Sequence, residues 1–371
     1  MNQLKYNLEK TIILKKLLLA ATVITLFLTA CDTSPSTSKK GASKSPRIKK
    51  NVSLIKPKAN QKLKLGSPIS LEIQHKDPEG VIDSAFAILG GETFIFSGNL
   101  LEIFSLDQIG KLPLQIIAYT EGIKESLYPN ITVLPKESPV TYSYRILETY
   151  QHDISAWTQG LFIHDGSLYE STGQNGESSL RRINLESGEI ESMANLEKQY
   201  FGEGCTIWNN QIFFLTWTSR IGFVYDLNLN RQRSFNFPTE GWGITTYGDT
   251  LLMSDGSENI HFINPKDFST IKTLKVYDDK GKIDELNELE LINGTLYANV
   301  WGTDDIIMID PNTGIVIGRI DFSGLFNDYR NNKYDKSLNG IAVDESGSIF
   351  VTGKLWPSLY KVSITQKNNP T

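Results

Sequence analysis

A repeated unit of short strands and tight turns fills most of this 371-residue chain after residue 140. Each copy has an apolar strand, a turn of Gly, Asn or Asp, a second apolar strand, a third strand and a weaker fourth segment. The copies start near Gln159, Glu203, Trp242, Glu288 and Asn339, a period of roughly 40–50 residues that is typical of propeller blades. The sequence therefore predicts an all-β fold in which residues 140–365 form a five-bladed β-propeller. An open sandwich or an irregular β fold is the alternative.

The last copy lacks a full outer strand. The segment Tyr142–Leu147, which precedes the first copy, is strand-like and can supply it. We therefore expect the ring of blades to close between the two ends of the repeat, which leaves few exposed sheet edges.

The N-terminal residues carry the pattern of a lipoprotein signal. Lys10, Lys15 and Lys16 precede an apolar run from Leu17 to Ala30, which is short for a membrane span and ends directly before Cys31. Small residues before a Cys resemble a bacterial lipobox, so we predict a signal peptide over residues 1–31 with a lipidated Cys31. An uncleaved anchor helix is the alternative. Either predicts a protein tethered to a membrane of the cell envelope, facing the periplasm or the cell surface.

Two further segments lie before the repeat. Residues 32–50 are rich in Ser, Thr, Pro, Gly, Lys and Arg, and such a composition predicts a flexible tether. Residues 51–136 contain short strand-like runs separated by turns such as Asp77-Pro-Glu-Gly80, which favours a small immunoglobulin-like β-sandwich. No cluster of reactive residues stands out in this domain, and Pro135 and Pro139 mark its boundary.

Composition excludes several classes of partner and cofactor. The net charge of −5 gives no reason to expect nucleic-acid binding. Four scattered histidines offer no zinc motif, and carboxylates in the channel could hold a structural Ca²⁺ that nothing in the sequence requires. Cys205 lies in an apolar stretch, which favours a buried inert thiol over a nucleophile. We expect no metal and no cofactor.

Polar and aromatic residues occupy equivalent positions of the repeat. Equivalent positions in different blades of a propeller face one another across the central channel, so these side chains converge on one pocket. A repeat has no structural need for such residues there, and aromatic walls with a few polar groups are typical of a small-ligand site. The first-strand positions hold Gln159, Glu203, Trp242, Asn287 with Glu288, and Asn339, and the second-strand ends hold Glu170, Trp217, Asp255, Trp301 and Lys354.

The motifs of the repeat resemble those of the plant-type and bacterial glutaminyl-peptide cyclotransferases, or glutamine cyclotransferases. The resemblance covers about Tyr142 to Val362 and does not extend to residues 1–140. Its motifs include Trp157-Thr-Gln-Gly-Leu161, Tyr200-Phe-Gly-Glu-Gly204, Glu240-Gly-Trp-Gly243, Leu286-Asn-Glu-Leu-Glu290, Ala298-Asn-Val-Trp301 and Thr352-Gly-Lys-Leu-Trp-Pro357. The segment Gln151–Trp157 departs from the family pattern, which has Phe in place of Trp157, and we expect this departure to lie away from the pocket.

The resemblance implies a five-bladed propeller that converts N-terminal glutamine of peptides or proteins to pyroglutamate and releases ammonia, without zinc. It places the catalytic carboxylate at Glu203. The other pocket residues carry over to Gln159, Phe201, Trp217, Trp242, Asn287, Glu288, Trp301 and Lys354. We expect a monomer whose partners are peptides or proteins that begin with Gln.

The expected chemistry matches these side chains. Cyclisation needs a group that accepts a proton from the α-amine and passes it to the leaving nitrogen, and Glu203 suits that role. Lys354 and Asn287 would stabilise the developing oxyanion. Glu288 would hold the substrate amine and Gln159 would bind the side-chain amide. Two alternatives stay open, a non-catalytic propeller that binds peptides or another ligand and a metal-dependent propeller hydrolase.

Overall fold

The computed structural model describes residues 50–58, 60–103, 105–326 and 336–367. The predicted signal peptide with Cys31, and the tether apart from residue 50, lie outside the described residues. Every regular element in the described ranges is a β-strand, so the all-β prediction is confirmed. No helix in these ranges is long and apolar enough to cross a membrane.

Two sheets near the N-terminus enclose one apolar core. A three-stranded sheet has the order β1-β3-β6, and a second sheet has the order β2-β9-β7-β4-β5 with β8 paired to β7. Alternate residues of the strands face inward, as at Ile69, Leu71 and Ile73, and the inward side chains of both sheets form the core. The strands are β1 Val52–Lys56, β2 Gln61–Lys64, β3 Ile69–His75, β4 Ser84–Leu89, β5 Glu92–Ile95, β6 Leu100–Ile103, β7 Gly110–Thr120, β8 Ile123–Leu127 and β9 Asn130–Leu134.

The repeat forms four-stranded antiparallel units. Three are separate sheets, with the orders β11-β12-β13-β14, β15-β16-β17-β18 and β19-β20-β21-β22. The strands of these sheets are β11 Thr158–His164, β12 Ser167–Thr172, β13 Ser179–Asn184, β14 Ile190–Asn195, β15 Gly202–Trp208, β16 Gln211–Thr216, β17 Ile221–Tyr225, β18 Arg231–Asn236, β19 Ile244–Tyr247, β20 Thr250–Ser254, β21 Asn259–Ile263 and β22 Thr270–Lys275.

The last two units share one eight-stranded sheet of order β23-β24-β25-β26-β10-β29-β28-β27. Strand β10 pairs antiparallel with β29 from Tyr142 opposite Gln366 to Gln151 opposite Ser358, which confirms that the segment before the repeat completes its last unit. The strands of this sheet are β10 Val140–Gln151, β23 Leu286–Ile292, β24 Thr295–Val300, β25 Asp305–Ile309, β26 Val316–Asp321, β27 Leu338–Val343, β28 Ile349–Gly353 and β29 Ser358–Gln366.

The first strands of the five units pack around a common axis. They contact one another in the order β11, β15, β19, β23 and β27, and β27 contacts β11 again. Glycine permits the close approach, because a Cβ at Gly204 would lie 2.7 Å from the backbone oxygen of Trp242 and one at Gly243 would lie 2.1 Å from that of Asn287. The Gly that follows the site residue in four of the five units is therefore a packing requirement of the axis.

Polar contacts attach the N-terminal sheets to the loop that precedes β23. The Lys62 and Lys64 ammonium groups donate to the backbone oxygens of Lys280 and Asp279, at 2.8 and 3.1 Å. The Ser138 hydroxyl donates to the Asp279 carboxylate at 2.7 Å. These bonds hold the predicted small domain beside the third and fourth units.

Candidate active site

A cavity of about 390 Å³ lies at the end of the axis where the second strands of the units finish. This volume suits a small molecule or one amino-acid side chain with its backbone. Eight of the nine catalytic and substrate-binding residues predicted from the sequence line it. The lining consists of Trp157, Gln159, Gln174, Phe201, Glu203, Trp217, Trp242, Glu285, Asn287, Trp301 and Lys354.

Glu203 lies on β15 and is only 5% exposed. Burial raises the pKa of its carboxyl well above the usual value, the Lys354 charge lowers it in part, and the Glu240 charge raises it further. A carboxyl with a raised pKa can take up and release a proton closer to neutral pH than an exposed one. Such a group at the wall of a cavity is a candidate general acid and base.

A chain of side-chain amides orients Glu203. The Gln159 Nε2 atom donates to Glu203 Oε1 at 3.1 Å, and Gln159 Oε1 accepts from Asn339 Nδ2 at 3.1 Å. Asn339 Nδ2 also donates to the backbone oxygen of Thr158 at 3.0 Å. The first strands of three units thus fix the direction in which the Glu203 carboxylate points.

Aromatic side chains form the walls of the pocket. The indole Nε1 atoms of Trp217 and Trp242 both donate to Glu240 Oε2, at 2.7 and 3.1 Å. Trp301 packs edge-on against Trp242 with a centroid separation of 5.9 Å, and Phe201 packs edge-on against Trp217 at 5.7 Å. One carboxylate and two edge contacts therefore hold these walls in place.

Lys354 and Asn287 supply the remaining polar groups. Lys354 is 4% exposed, and its Nζ atom lies 5.7 Å from the centre of the Trp157 ring. Asn287 is 2% exposed, and its Oδ1 atom has no hydrogen-bond partner among the described residues. A buried carbonyl oxygen without a partner is costly, so a donor from a bound ligand would stabilise this site.

The predicted substrate-binding role of Glu288 does not fit its position. Its side chain is 1% exposed and does not line the cavity. The carboxylate accepts hydrogen bonds from the backbone N–H groups of Leu161 at 3.4 Å and Ile341 at 2.9 Å. The fourth unit has no Gly at this point of its first strand, and Glu288 instead extends across the axis and joins the first and fifth units.

Three lining residues were not predicted, namely Trp157, Gln174 and Glu285. The expectation that the Gln151–Trp157 departure lies away from the pocket was wrong, because Trp157 lines the pocket beside Lys354. Gln174 and Glu285 lie in loops with left-handed backbone, at φ 82° and 61°. Nothing in the strand periodicity points to them, although their loops flank Thr172, the last residue of β12, and the predicted first-strand residue Asn287.

Two of the polar residues predicted at second-strand ends, Glu170 and Asp255, lie outside the pocket, as does Cys205. Glu170 is buried against His152, with 3.0 Å between His152 Nε2 and Glu170 Oε1, and Asp255 contacts His261 at 2.7 Å. Cys205 is 1% exposed, which confirms the expected burial, and burial raises the pKa of its thiol. Within the described ranges, no three His, Cys, Asp or Glu side chains are grouped to hold a metal ion.

Comparison with known proteins places the chain in a family. A family model described as glutamine cyclotransferase matches residues 116–364, about two thirds of the sequence. The chain belongs to the glutamine cyclotransferase family. Every residue that lines the pocket falls inside the matched range, whereas most of the N-terminal sheets fall outside it.

Two relatives of the family agree with this assignment. The chain is 37% identical over 241 residues to a glutaminyl-peptide cyclotransferase of Arabidopsis thaliana, covering 62% of this chain and 75% of the relative. The crystal structure of Myxococcus xanthus glutaminyl cyclase is 35% identical, with a TM-score of 0.57, and the match covers 62% of this chain and 100% of the other. The protein is thus an enzyme of the glutaminyl-peptide cyclotransferase type.

Proposed function

We propose that this glutamine cyclotransferase forms pyroglutamate from N-terminal glutamine in the pocket around Glu203, with Glu203 as general acid and base. The observation that carries the proposal is a buried carboxyl of raised pKa, oriented by Gln159 in an aromatic cavity. A propeller that only bound the N-termini of peptides would not need a proton-transfer group in its pocket.

The reaction is an intramolecular acyl transfer. The α-amine nitrogen attacks the side-chain carbonyl carbon, the new N–C bond forms, and Glu203 accepts the proton that the amine loses. The tetrahedral intermediate then collapses, the bond to the side-chain nitrogen breaks, and Glu203 returns the proton so that ammonia leaves. Atoms and charge balance without water or a cofactor.

The other lining residues position the substrate. The Lys354 ammonium and the Asn287 amide would stabilise the negative charge that develops on the carbonyl oxygen. Gln159 would bind the side-chain amide beside Glu203. The tryptophan walls would hold the glutamine side chain folded back on its own amine and exclude water, which is a proximity effect.

The proposal also includes the architecture around the pocket. The five four-stranded units are the blades of one closed five-bladed propeller, which the closed order of first-strand contacts supports. The two N-terminal sheets, with their shared core, form an immunoglobulin-like sandwich. Lipidation of Cys31 would tether both to a membrane of the cell envelope, a proposal that rests on the Leu28-Thr-Ala-Cys31 sequence.

The test is ammonia release and the mass of a Gln-initiated peptide incubated with the full-length protein. We expect loss of one ammonia from the peptide, and a rate on the order of 10²–10⁴-fold lower for Glu203→Gln. Glu345→Gln, in the exposed turn between β27 and β28, is the matched control and should cyclise the peptide at the wild-type rate. A wild-type rate for Glu203→Gln would remove Glu203 from the mechanism. Activity that survives exhaustive chelation would discard the alternative of a metal-dependent hydrolase.

A further inference from the structure

Glu285 lies at the rim of the pocket with its backbone held in an unusual conformation. Its φ of 61° is in the left-handed region, which residues other than Gly rarely adopt. Hydrogen bonds fix this geometry on both sides, since the Glu285 N–H donates to the Gly256 oxygen at 2.9 Å and the Trp301 N–H donates to the Glu285 oxygen at 2.8 Å. The direction in which the Glu285 side chain leaves the backbone is therefore fixed. Strained backbone of this kind is frequent at ligand sites.

The Glu285 carboxylate has no hydrogen bond or ion pair within the described part of the chain, although it lines the pocket and is exposed. The neighbouring Asp284 is bound differently, because its carboxylate contacts Lys282 at 2.8 Å. The Glu285 carboxylate thus places a negative charge at the pocket opening, and no cationic side chain in the described part of the chain pairs with it.

The carboxylate at the pocket opening is separate from the two ionisable groups deeper in the pocket, Glu203 and Lys354, which are both buried. Lys354 is buried at the wall formed by Trp157, whereas Glu285 is exposed at the opening, next to Trp301. Glu240, which is half-buried and accepts hydrogen bonds from the indoles of Trp217 and Trp242, adds a second negative charge at the aromatic wall. Indole faces and carboxylates both attract cations.

A bound peptide brings its second residue to this rim. When the first residue reacts at Glu203, the chain leads outward by roughly 3.5 Å per residue, so the side chain after glutamine reaches the pocket opening. We propose that Glu285 is a specificity-determining residue that favours Lys or Arg at the second position of the substrate. This inference rests on the proposed cyclisation in the Glu203 pocket.

The experiment compares kcat/KM of the full-length protein for peptides that differ only at the second residue, Gln-Lys and Gln-Glu. Partial burial, followed by the charge of Asp284, raises the pKa of Glu285, so the assay is made at pH 8 and low salt. We expect wild type to prefer Gln-Lys by about two- to fivefold, the range of exposed ion pairs. The preference should shrink at high salt, because ions screen exposed charges.

Two variants test the residue itself. Glu285→Gln should bring the ratio of kcat/KM for the Gln-Lys and Gln-Glu peptides close to one. Glu285→Lys should reverse the preference, so that the Gln-Glu peptide reacts faster. The matched control Glu345→Gln removes the same charge from the far end of β27 and β28 and should keep the wild-type ratio. The inference would be overturned if wild type showed equal kcat/KM for the two peptides, or if Glu285→Gln kept the same kcat/KM ratio as wild type. Failure of wild type to cyclise either peptide would instead overturn the proposed function.

Discussion

Gln159 Nε2 and Glu203 Oε1 lie 3.1 Å apart, although the two residues are 44 positions apart in the sequence. The contact joins the first strands of two neighbouring units at the wall of the pocket. Asn339 Nδ2 donates to the side-chain oxygen Oε1 of Gln159. Because that oxygen faces Asn339, the side-chain nitrogen Nε2 of Gln159 faces the Glu203 carboxylate. The orientation of this amide therefore decides whether the Gln159 side chain donates to Glu203.

Asn339→Asp should disturb this orientation. A carboxylate at position 339 can only accept, so the Gln159 amide would turn its nitrogen toward position 339 and its oxygen toward Glu203. We expect kcat/KM for a Gln-initiated peptide to fall on the order of 10- to 100-fold, which corresponds to losing one hydrogen bond to a charged group. Steady-state kinetics measures this, and a rate equal to wild type would contradict the orienting role of Asn339.

The pH dependence of the reaction should follow the charges around Glu203. In the proposed mechanism the ionised carboxylate is the base, so kcat/KM should fall as pH drops through its pKa. Burial places that acid limb above the ordinary carboxyl range. Lys354→Met should move the limb to higher pH, because it removes the charge that lowers the pKa of Glu203. Glu240→Gln should move it to lower pH, because it removes a charge that raises this pKa.

The two shifts have opposite signs, so pH–rate profiles of the two variants and wild type serve as controls for one another. A common shift in both variants would indicate a general change in the pocket. An acid limb in the ordinary carboxyl range for wild type would show that a different group is titrating.

The repeat in the sequence allowed most of the pocket to be predicted. Strand periodicity aligns Gln159, Glu203 and Trp242 at one level of the units, and it aligns Trp301 and Lys354 at the strand ends. These positions depend on the backbone of each unit, which local sequence determines.

The rest could not be predicted, because it depends on loops and on side-chain directions. The left-handed backbone of Glu285 is held by hydrogen bonds to Gly256 and Trp301, and that of Gln174 by a local turn to Glu177 and Ser178, and neither follows from the strand pattern. Alternation along β23 does not reveal that the Glu288 carboxylate binds the N–H groups of Leu161 and Ile341. Trp157 looked like a departure from a motif, whereas the fold brings it to the pocket.

Glu288→Ala should destabilise the fold. The substitution would leave the buried N–H groups of Leu161 and Ile341 without an acceptor, at a cost of about 1–3 kcal/mol each. Denaturant unfolding should show a decrease of about 2–6 kcal/mol in the free energy of unfolding. Glu288→Gln keeps one acceptor oxygen, so its free energy of unfolding should decrease less than that of Glu288→Ala. If Glu288 bound substrate instead, Glu288→Ala would raise KM and leave the free energy of unfolding as in wild type.

The buried ion pair between His152 and Glu170 should make stability depend on pH. Burial lowers the pKa of His152, but the Glu170 carboxylate and the Trp356 carbonyl outweigh burial and raise it above 6.5. Burial raises the pKa of Glu170, but His152, Arg181 and Thr158 outweigh burial and lower it below 4.5. Both groups are therefore charged in the folded protein across the range between these two ordinary values.

The sign of each contribution follows from the direction of its shift. The contribution of His152 is complete below its unfolded pKa and is lost as pH rises through the higher folded value. That of Glu170 is complete above its unfolded pKa and is lost as pH falls through the lower folded value. We therefore expect the pair to contribute most between about pH 5 and 6.5, where unfolded Glu is ionised and unfolded His is protonated.

His152→Leu tests this window. Near pH 6 the variant leaves the buried Glu170 without its closest charged partner, so the free energy of unfolding should fall by about 3–5 kcal/mol. At pH 9 the difference from wild type should be smaller, because the stability that the His152 charge contributes is lost progressively as pH rises above the ordinary histidine pKa. His164→Gln, which alters a surface histidine beside the exposed Asp165, should differ little from wild type at either pH. An equal loss for His152→Leu at pH 6 and pH 9, measured by denaturant unfolding, would show that His152 acts through packing and not through its charge.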